Sequence, residues 1–298
     1  MPCEAPTTAY RPANGGPLLF TKLPTAPDQT QLQLPCGKCI LCRQEHARQW
    51  AVRITHEAQL WPLSSFVTLT YSDEHLPKNQ QLHYPDLQNF WKRLRKKCGQ
   101  LRYYSVGEYG DKTNRPHYHA CIFGHAFEHE RIILQREPFL LWTNKLLQDT
   151  WGLGHVSVGA LNYATALYTA SYVTKKLGYK HRYTMLDRES GELLDMVQPK
   201  AYISNGGGRK GTTPTAPIGK LWLEKYGTNV YDHDAVIING TPQKPPRYYD
   251  KWLKKNDELK HTRIKEERNK NAEILTPEEL RARATNARAR KKLKTAKI

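Results

Sequence analysis

Two histidines, His117 and His119, flank a single tyrosine at the start of an apolar run. If this run is a β-strand, alternate side chains point to opposite faces, so both imidazoles share one face. Two imidazoles on one face of a rigid strand can hold a divalent metal ion. A histidine pair taken alone is more often two ordinary hydrogen-bonded residues, so the metal hypothesis needs further ligands.

Glu108 is the candidate for a third ligand. Residues 101–123 predict two strands joined by a polar turn, and this spacing puts Glu108 roughly across from His117. Two imidazoles and one carboxylate leave open positions on an ion, which favours Mg²⁺ or Mn²⁺ with a phosphate oxygen as substrate ligand. A histidine-triad nucleotide hydrolase is an alternative, but its pattern needs a third histidine where Cys121 stands.

A pair of tyrosines, Tyr168 and Tyr172, lies in a segment that predicts a helix over about 160–178. The two project one turn apart, and Lys175 and Lys176 follow in the same broad sector. A phenol is a poor nucleophile at its usual pKa of about 10. A nearby ammonium lowers that pKa, and a metal-bound phosphate is a better electrophile. The set therefore suits phosphoryl transfer through a phosphotyrosine. Two ordinary aromatics beside a cationic surface are the alternative, and the opposite, apolar face is expected to pack the helix without them.

Three cysteines, Cys36, Cys39 and Cys42, are spaced as Cys-x-x-Cys-x-x-Cys, and Cys3 could complete a four-thiolate structural zinc site. Such a site would hold the N-terminal segment on the helix that begins near residue 42. Free thiols are the alternative, and an iron–sulfur cluster has similar ligand needs.

The elements around these residues alternate irregularly. This order lacks the regular repeat of a doubly wound fold, so we predict an α+β fold, with helices packed on a mainly antiparallel sheet. The predicted elements are a mostly irregular segment over 1–35, helices over about 41–61, from Pro85 to Gly99 and around 130–150, and strands over 65–71 and 155–158.

The charge of the chain indicates a polyanionic partner. The 298 residues carry 46 Lys or Arg against 28 Asp or Glu, a net charge of +18. Nucleic acid is the default partner for such an excess, and an anionic membrane surface is the competitor. No apolar run approaches the roughly 18 residues that span a bilayer. The N-terminus lacks the pattern of a secretory signal, so we expect a reducing cytoplasm.

Several basic stretches are candidate DNA contacts. A glycine-rich loop near residue 210 does not have the spacing of a phosphate-binding loop, which argues against an ATPase. Residues 251–298 carry 16 Lys or Arg against 7 Asp or Glu and are either a solvated tail or a DNA-contacting arm. Within them Thr276 and Glu279 form a capping box that predicts a helix start. The candidate contacts outside this tail are Arg115, Lys92, Arg93, Arg95, Lys96, Arg209 and Lys210.

Three stretches resemble, in their order, the motifs of HUH-type rolling-circle replication initiators. The tyrosine pair resembles that of the microvirus branch, and further stretches are similar to gokushovirus replication initiators, so that the resemblance covers about residues 1–253. The three motifs are Phe66–Tyr71, Pro116–His119 and Tyr168–Lys176, and the further stretches are Pro35–Arg43, Trp50–Arg53, Gly107–Gly110 and Pro245–Asp250.

The resemblance implies a sheet of about five antiparallel strands and a tyrosine that attacks single-stranded DNA at the replication origin. The products would be a 5′-phosphotyrosine and a free 3′-hydroxyl that primes synthesis. The second tyrosine would cut the newly made junction, and the strand would be rejoined into a circle. No ATP would be needed for nicking, but a host helicase and polymerase would be, in the cytoplasm of a host bacterium.

Residue matching to this family assigns roles. His117 and His119 would be metal ligands, and Tyr168 and Tyr172 would be nucleophiles. Glu108 as third ligand follows from spacing and from analogy with eukaryotic-virus relatives. The remaining assignment is Lys175 or Lys176 as the residue that assists at the phosphate.

The sequence also suggests four segments and leaves other functions open. A non-catalytic, zinc-dependent DNA-binding protein is one alternative. A plasmid relaxase or a transposase is another, although relaxases usually place the tyrosine before the histidine pair and such transposases are generally shorter with one catalytic tyrosine. The segments are a cysteine-rich N-terminal segment over 1–42, an endonuclease core over 43–185, an accessory region over 186–250 and a basic helical or disordered tail over 251–298.

Overall fold

The structure is a computed structural model that describes residues 3–13, 16–23, 28–110, 113–175, 184–186, 193–204, 216–273 and 275–295. These residues form thirteen strands, eight α-helices and one short 3₁₀ helix, Lys78–Gln80. The strands are β1 (Thr7–Pro12), β2 (Gln29–Leu34), β3 (Ser64–Tyr71), β4 (Arg102–Tyr109), β5 (Pro116–Phe123), β6 (Ile132–Gln135), β7 (Leu141–Thr143), β8 (Gly154–Gly159), β9 (Thr184–Leu186), β10 (Leu193–Asp195), β11 (Ala201–Ile203), β12 (Val236–Ile238) and β13 (Thr241–Gln243). The helices are α1 (Ile40–Ala58), α2 (Tyr84–Cys98), α3 (Lys145–Trp151), α4 (Tyr163–Lys175), α5 (Lys220–Asp232), α6 (Arg247–Asn256), α7 (Glu258–Lys270) and α8 (Pro277–Thr295).

A seven-stranded sheet lies at the centre of the fold. Its strand order is β11-β4-β5-β3-β8-β7-β6, and every neighbouring pair is antiparallel. The predicted α+β class with a large antiparallel sheet is therefore confirmed. The expected count of about five strands is too low, because β6, β7 and β11 are only three or four residues long and leave no clear alternating pattern.

The two faces of the sheet are covered by different helices. On β5, Tyr118, Ala120 and Ile122 belong to a core with α2 and α3, whereas Cys121 and Phe123 belong to a core with α1 and α4. Both faces are buried, which is why every β5 residue from Tyr118 onwards is inaccessible to solvent. The odd-numbered residues of β5 therefore point toward α1 and α4.

The helix boundaries largely follow the predicted signals. In α2, Asp86 lies in the first turn, and Gly99 ends the helix with a φ of 75°. In α8, the backbone N–H of Thr276 donates to Glu279 Oε2 at 2.8 Å, and the N–H of Glu279 donates back to Thr276 Oγ1 at 3.2 Å. The predicted capping box is thus confirmed.

Residues 1–35, which were expected to be mostly irregular, contain two strands that were not predicted from the sequence. Strands β1 and β2 pair as an antiparallel hairpin, with Thr7 opposite Leu34 and Pro12 opposite Gln29. Ala9 at the middle of β1 is fully buried. The high content of proline and glutamine hid this hairpin, because β2 alternates leucine with polar residues that carry little strand preference.

The helix expected around 130–150 is also wrong in its first half. The chain forms β6 and β7 there, and only α3 is helical. Ile132 and Ile133 are β-branched, and Pro138 cannot continue a helix. Asn144 then caps α3, since its side-chain oxygen accepts the backbone N–H of Leu147 at 3.3 Å.

A third core joins α5, α6 and α7 to the outer side of α1. Val52 of α1 is part of this core, together with Leu223, Tyr249 and other residues of the C-terminal helices. A buried ion pair anchors this unit to the sheet, because Glu57 of α1 lies 2.5 Å from Arg102 of β4. The other carboxylate oxygen of Glu57 accepts a hydrogen bond of 2.7 Å from the backbone N–H of Gly219, which immediately precedes α5. Helix α1 is therefore shared by both parts of the fold.

Candidate functional site

Glu108, His117 and His119 come together in the hairpin of β4 and β5. The strand register pairs Glu108 directly with His117, as the spacing predicts. His119 follows two residues later on the same face. Glu108 Oε2 lies 3.4 Å from His117 Nε2 and 3.1 Å from His119 Nε2. Glu108 and His119 are buried, and His117 is partly exposed.

The donor atoms of this cluster fit a divalent ion. One nitrogen of each imidazole and one carboxylate oxygen lie within 4.8 Å of one another. Two ligands that each lie about 2.1 Å from one ion are separated by roughly 3.0 to 3.4 Å, which matches the observed separations of Glu108 from the two histidines. A mixed nitrogen and oxygen donor set suits Mn²⁺, Mg²⁺ or Zn²⁺.

Each imidazole is oriented through its second nitrogen. His117 Nδ1 donates to the backbone carbonyl of Arg115 at 3.1 Å. His119 Nδ1 is 3.0 Å from the hydroxyl of Thr68, which lies opposite it on β3. Because Nδ1 of His117 donates to this carbonyl, Nε2 is the ring nitrogen that faces Glu108 and could bind an ion. Such outer hydrogen bonds fix the tautomer and the ring orientation of metal-binding histidines.

Glu108 is ionised over the physiological range. Burial tends to raise the pKa of Glu108, but hydrogen bonds from His117 and His119, and their charge, outweigh burial and hold this pKa at about 2. Glu108 therefore carries a full negative charge at neutral pH. An ionised carboxylate between two imidazoles is the protonation state that a cation requires.

Tyr168 and Tyr172 of α4 pack on the same histidine. The ring centroid of His119 lies 5.0 Å from that of Tyr168 and 5.4 Å from that of Tyr172, and the two tyrosine rings are 4.7 Å apart. Helix α4 covers the face of the sheet to which the odd-numbered β5 residues point. The tyrosine pair and the imidazole–carboxylate cluster thus share one site.

The two tyrosines differ in exposure. Tyr168 is 40% exposed, whereas Tyr172 is 8% exposed and belongs to the core between α1, α4 and the sheet. Burial raises the pKa of Tyr172 far above its usual value, and the neighbouring Glu108 and Tyr168 raise it further. Tyr172 therefore contributes to packing, although the apolar face of α4 was expected to pack the helix without it.

Two residues of β3 complete the site and were not singled out as site residues from the sequence. Phe66 stacks on His119 with centroids 5.6 Å apart and meets the edge of Tyr168 at 6.1 Å. Thr68 holds the imidazole of His119, as described above. Both lie on one face of β3, two residues apart, which is the signal that could have found them once β3 was placed beside β5.

Of the other basic candidates, some lie outside the described residues and one is held in an ion pair. The side chain of Lys175, together with Lys176, Arg209 and Lys210, lies outside the described part of the chain. Arg115 forms an ion pair with Asp73 and donates to the carbonyl of Tyr71 at 2.9 Å.

The basic residues of α2 lie on the far side of the sheet from the site, because α2 packs on the even-numbered face of β5. Arg93 donates to the carbonyl of Thr150 at 2.9 Å, and Arg95 lies over the ring of Tyr103. Both arginines therefore take part in packing. The structure does not bring this group, Lys92, Arg93, Arg95 and Lys96, together with the tyrosines.

The predicted cysteine cluster also forms. The sulfur atoms of Cys3, Cys36, Cys39 and Cys42 all lie within 4.8 Å of one another, at the N-terminal end of α1. The tetrad lies on different elements from the imidazole–carboxylate cluster.

Comparison with known proteins identifies the family. Residues 64–177, which include β3, β5 and α4, match the model of the replication-associated protein ORF2/G2P family. The replication-associated protein VP4 of Bdellovibrio phage phiMH2K is 33% identical over 270 residues, 86% of this chain and 78% of that protein. The replication-associated protein ORF2 of Spiroplasma virus 4 is 34% identical over 255 residues, 80% and 73% of the two chains. The replication-associated protein ORF4 of Chlamydia phage 1 is 28% identical over 240 residues, which are 76% of this chain and 55% of that protein.

The chain belongs to the family of phage replication-associated proteins, in agreement with its resemblance to microvirus replication initiators. A role in replication implies interaction with DNA, which agrees with the net charge of +18. No solved structure matches the chain. Among the residues that the structure describes, no helix is long and apolar enough to cross a membrane.

Proposed function

We propose that this protein starts rolling-circle replication of a phage genome by nicking single-stranded DNA at the origin. A tyrosine attacks one phosphodiester, which leaves a 5′-phosphotyrosine on the protein and a free 3′-hydroxyl on the DNA. The observation that carries the proposal is the packing of Tyr168 and Tyr172 against His119, in the same site as Glu108 and His117. An attacking group and a group that can position a phosphate are therefore adjacent.

His117, His119 and Glu108 would hold Mg²⁺ or Mn²⁺, which when bound polarises a phosphate oxygen and makes phosphorus a better electrophile. The protein itself orients the two imidazoles through Thr68 and the carbonyl of Arg115. It also keeps Glu108 ionised at neutral pH. These preset orientations leave little reorganisation for the reaction step.

The first cleavage would use Tyr168, because its exposed side chain is within reach of an incoming DNA strand. The phenol oxygen forms a bond to phosphorus as the bond between phosphorus and the 3′-oxygen breaks. The 3′-oxygen leaves with the electron pair and takes up a proton, and the phenol proton passes to solvent. The energy of the phosphodiester bond is retained in the tyrosine ester, so that nicking needs no ATP.

The second cleavage would use Tyr172 once a copy of the genome has been made. It cuts the newly made junction in the same way. The freed 3′-hydroxyl then attacks the first phosphotyrosine, releases Tyr168 as a phenol and closes the strand into a circle. The protein is therefore proposed to be a metal-dependent nickase that also joins strands.

The fold is proposed to be of the HUH type, with an endonuclease core over 43–185. The support is the large antiparallel sheet, the histidine pair on its β5 strand and the tyrosines on a helix against that strand. The segments over 1–42, 186–250 and 251–298 would be additions to this core.

The DNA would be held mainly by positive charge, which neutralises backbone phosphates without reading their sequence. Lys175 or Lys176 would assist at the attacked phosphate. The basic residues Arg115, Arg209 and Lys210 and the α2 group are further proposed contacts. Unwinding and synthesis would be left to a helicase and a polymerase of the host bacterium.

The proposal is tested by incubating the full chain with origin-bearing single-stranded DNA and Mn²⁺. We expect a covalent protein–DNA adduct that resists denaturant. The adduct should be lost with Tyr168→Phe plus Tyr172→Phe, and with His117→Ala plus His119→Ala. Tyr163→Phe, which removes a hydroxyl from the same helix away from His119, is the matched control and should retain the adduct.

Persistence of the adduct in the double tyrosine variant would contradict the mechanism. DNA binding without any adduct in the wild-type protein would favour the non-catalytic DNA-binding alternative. A native gel separates bound DNA from free DNA, and a denaturing gel retains only the DNA that is covalently attached, so the two gels together distinguish these outcomes.

A further inference from the structure

The cysteine tetrad has the dimensions of a site for one metal ion. The sulfur of Cys39 lies 3.9 Å from that of Cys3, and all four sulfurs lie within 4.8 Å of one another. Zinc binds thiolates at about 2.3 Å, so two sulfurs of a tetrahedral site are about 3.8 Å apart. Cys3 reaches this position from more than thirty residues away in the chain. Its approach is therefore a product of folding and not of local sequence spacing.

Disulfides do not account for this arrangement. A disulfide has an S–S distance of about 2.05 Å, and the four cysteines are free thiols in the structure. Cys3 and Cys42 are buried, whereas Cys36 and Cys39 are partly exposed at the rim. Four sulfurs that surround a common point without pairing are typical of a structural metal site.

Backbone amides support the sulfurs as they do in metal–thiolate sites. The N–H of Cys36 donates to the sulfur of Cys3 at 3.2 Å. The N–H groups of Lys38 and Cys39 donate to the sulfur of Cys36 at 3.4 and 3.3 Å. Gly37 makes this turn possible, since its φ of 73° is unfavourable for other residues. N–H donors stabilise thiolates and orient them toward an ion.

The tetrad lies where three distant parts of the chain meet. Cys3 precedes β1 of the N-terminal hairpin, and Cys42 lies in the first turn of α1. Next to Cys3, Glu4 forms an ion pair with Arg288 of α8 at 2.5 Å. Ala284 of α8 is fully buried. Helix α8 is thus packed into the fold at this point.

We propose that Cys3, Cys36, Cys39 and Cys42 bind one Zn²⁺, which holds the N-terminal hairpin, the start of α1 and the basic helix α8 together. A single ion is favoured over an iron–sulfur cluster, because a cluster places several irons and bridging sulfides among its cysteines and needs more room. The ion has a structural role, since four thiolates leave no open coordination position. The site is independent of the proposed nicking chemistry.

The test is metal analysis of the full chain, purified without oxygen and without a metal-affinity step. We expect one zinc per chain, with negligible iron. His117→Ala plus His119→Ala should keep this zinc, and Cys36→Ser plus Cys39→Ser should lose it. Cys98→Ser, a cysteine outside the tetrad, is the matched control and should keep it.

A measurement on the unmodified protein tests the zinc site even if a cysteine variant does not fold. Titration of the native chain with a mercurial reagent should release one zinc as the tetrad thiols react, detected by a chromogenic zinc indicator. Reconstitution with Co²⁺ should give the visible absorption of a tetrahedral cobalt–thiolate site. Zinc that disappears with the histidine variants, iron in place of zinc, or four reactive thiols with no metal would each overturn the proposal.

Limited proteolysis tests the proposed clamp separately from metal content. In the native protein, sites before Ile40 and within α8 should be protected. Removal of zinc by the mercurial should expose both regions together, because one ion is proposed to hold both. If only the N-terminal region becomes sensitive, the ion does not hold α8.

Discussion

At the level of single residues, a few hydrogen bonds determine how the imidazoles of His117 and His119 are oriented in the imidazole–carboxylate cluster. Thr68 is the clearest case, because its hydroxyl lies 3.0 Å from Nδ1 of His119, whereas Nε2 of the same ring faces Glu108. The strand register places it opposite His119. It is therefore a positioning residue.

Replacing this hydroxyl tests the positioning role. Thr68→Val keeps the shape of the side chain and removes the hydrogen bond, so we expect Mn²⁺ affinity to fall about 10- to 100-fold. Thr68→Ser keeps the hydroxyl and should retain near-native affinity. Calorimetric titration of Mn²⁺ measures both. Equal affinity in the valine and serine variants would show that the contact does not orient His119.

The difference in exposure between the two tyrosines leads to a prediction about their order. Tyr168 is 40% exposed and Tyr172 is 8% exposed, so an incoming strand meets Tyr168 first. We expect Tyr168→Phe to reduce the rate of the first cleavage at least 100-fold, consistent with loss of a nucleophile. Tyr172→Phe should make the first cut but fail to make the second cut, which frees the 3′-hydroxyl that closes the circle. Single-turnover assays with labelled DNA measure both steps. Normal first cleavage by Tyr168→Phe would reverse the assignment.

Much of this site could be predicted from local sequence. The hairpin spacing placed Glu108 opposite His117, and the four-residue spacing placed the tyrosines one turn apart. The burial of Tyr172 could not be predicted, because it depends on how α4 is rotated against the sheet. Thr68 and Phe66 were not assigned roles, since their contacts with His119 require the pairing of β3 with β5.

At the level of elements, long patterned segments were predicted well and short ones were not. The hairpin of β4 and β5 and the helices α1, α2 and α4 all have clear periodicity. The strands β6, β7 and β11 are too short to show a period, and they gain their stability by pairing with the sheet. Local sequence thus captured the strands and helix that carry the site but not the full width of the sheet.

Gly154 is a point at which one element sets the position of another. It begins β8 opposite Tyr71 of β3, with a φ of 149°. A Cβ atom there would lie 2.6 Å from the backbone carbonyl carbon of Tyr71. The close approach of the two backbones therefore requires glycine.

We expect Gly154→Ala to destabilise the protein by about 3 kcal/mol, because the added atom collides with backbone that cannot move aside. Gly152→Ala is the matched control. Gly152 also has a positive φ, of 64°, but a Cβ atom there meets nothing closer than 3.8 Å. Gly152→Ala should lower the free energy of unfolding by only about 1 kcal/mol. Urea unfolding measures both. Equal losses would show that backbone conformation matters and crowding does not.

At the level of the whole molecule, α1 joins the sheet to the C-terminal helices. Its buried His56 stacks on Trp222 of α5, with ring centroids 3.5 Å apart, and lies 2.8 Å from the hydroxyl of Tyr249 of α6. Burial lowers the pKa of His56 to about 3. The folded protein therefore keeps this imidazole neutral well below the pH at which the unfolded chain takes up a proton.

The difference between the pKa of His56 in the folded and the unfolded protein predicts a loss of stability in mild acid. The contribution of neutral His56 to the free energy of unfolding is complete above the unfolded pKa of about 6.5. It is lost as the pH falls from there toward 3. Between pH 7 and pH 5 we expect a loss of about 2 kcal/mol from this residue. Unfolding by urea at both pH values should show a smaller loss in His56→Phe than in the wild type. Equal losses in the two proteins would contradict the assignment.

In the proposed mechanism, Tyr168 and Tyr172 are the residues that become joined to DNA. Mass spectrometry of the nuclease-trimmed adduct formed with origin-bearing single-stranded DNA and Mn²⁺ identifies the attached residue. We expect a nucleotide attached through phosphate to the peptide that contains α4, with fragment ions that assign it to Tyr168. A nucleotide on a residue outside the pair, or no attached nucleotide after cleavage, would show that these tyrosines are not the attacking groups.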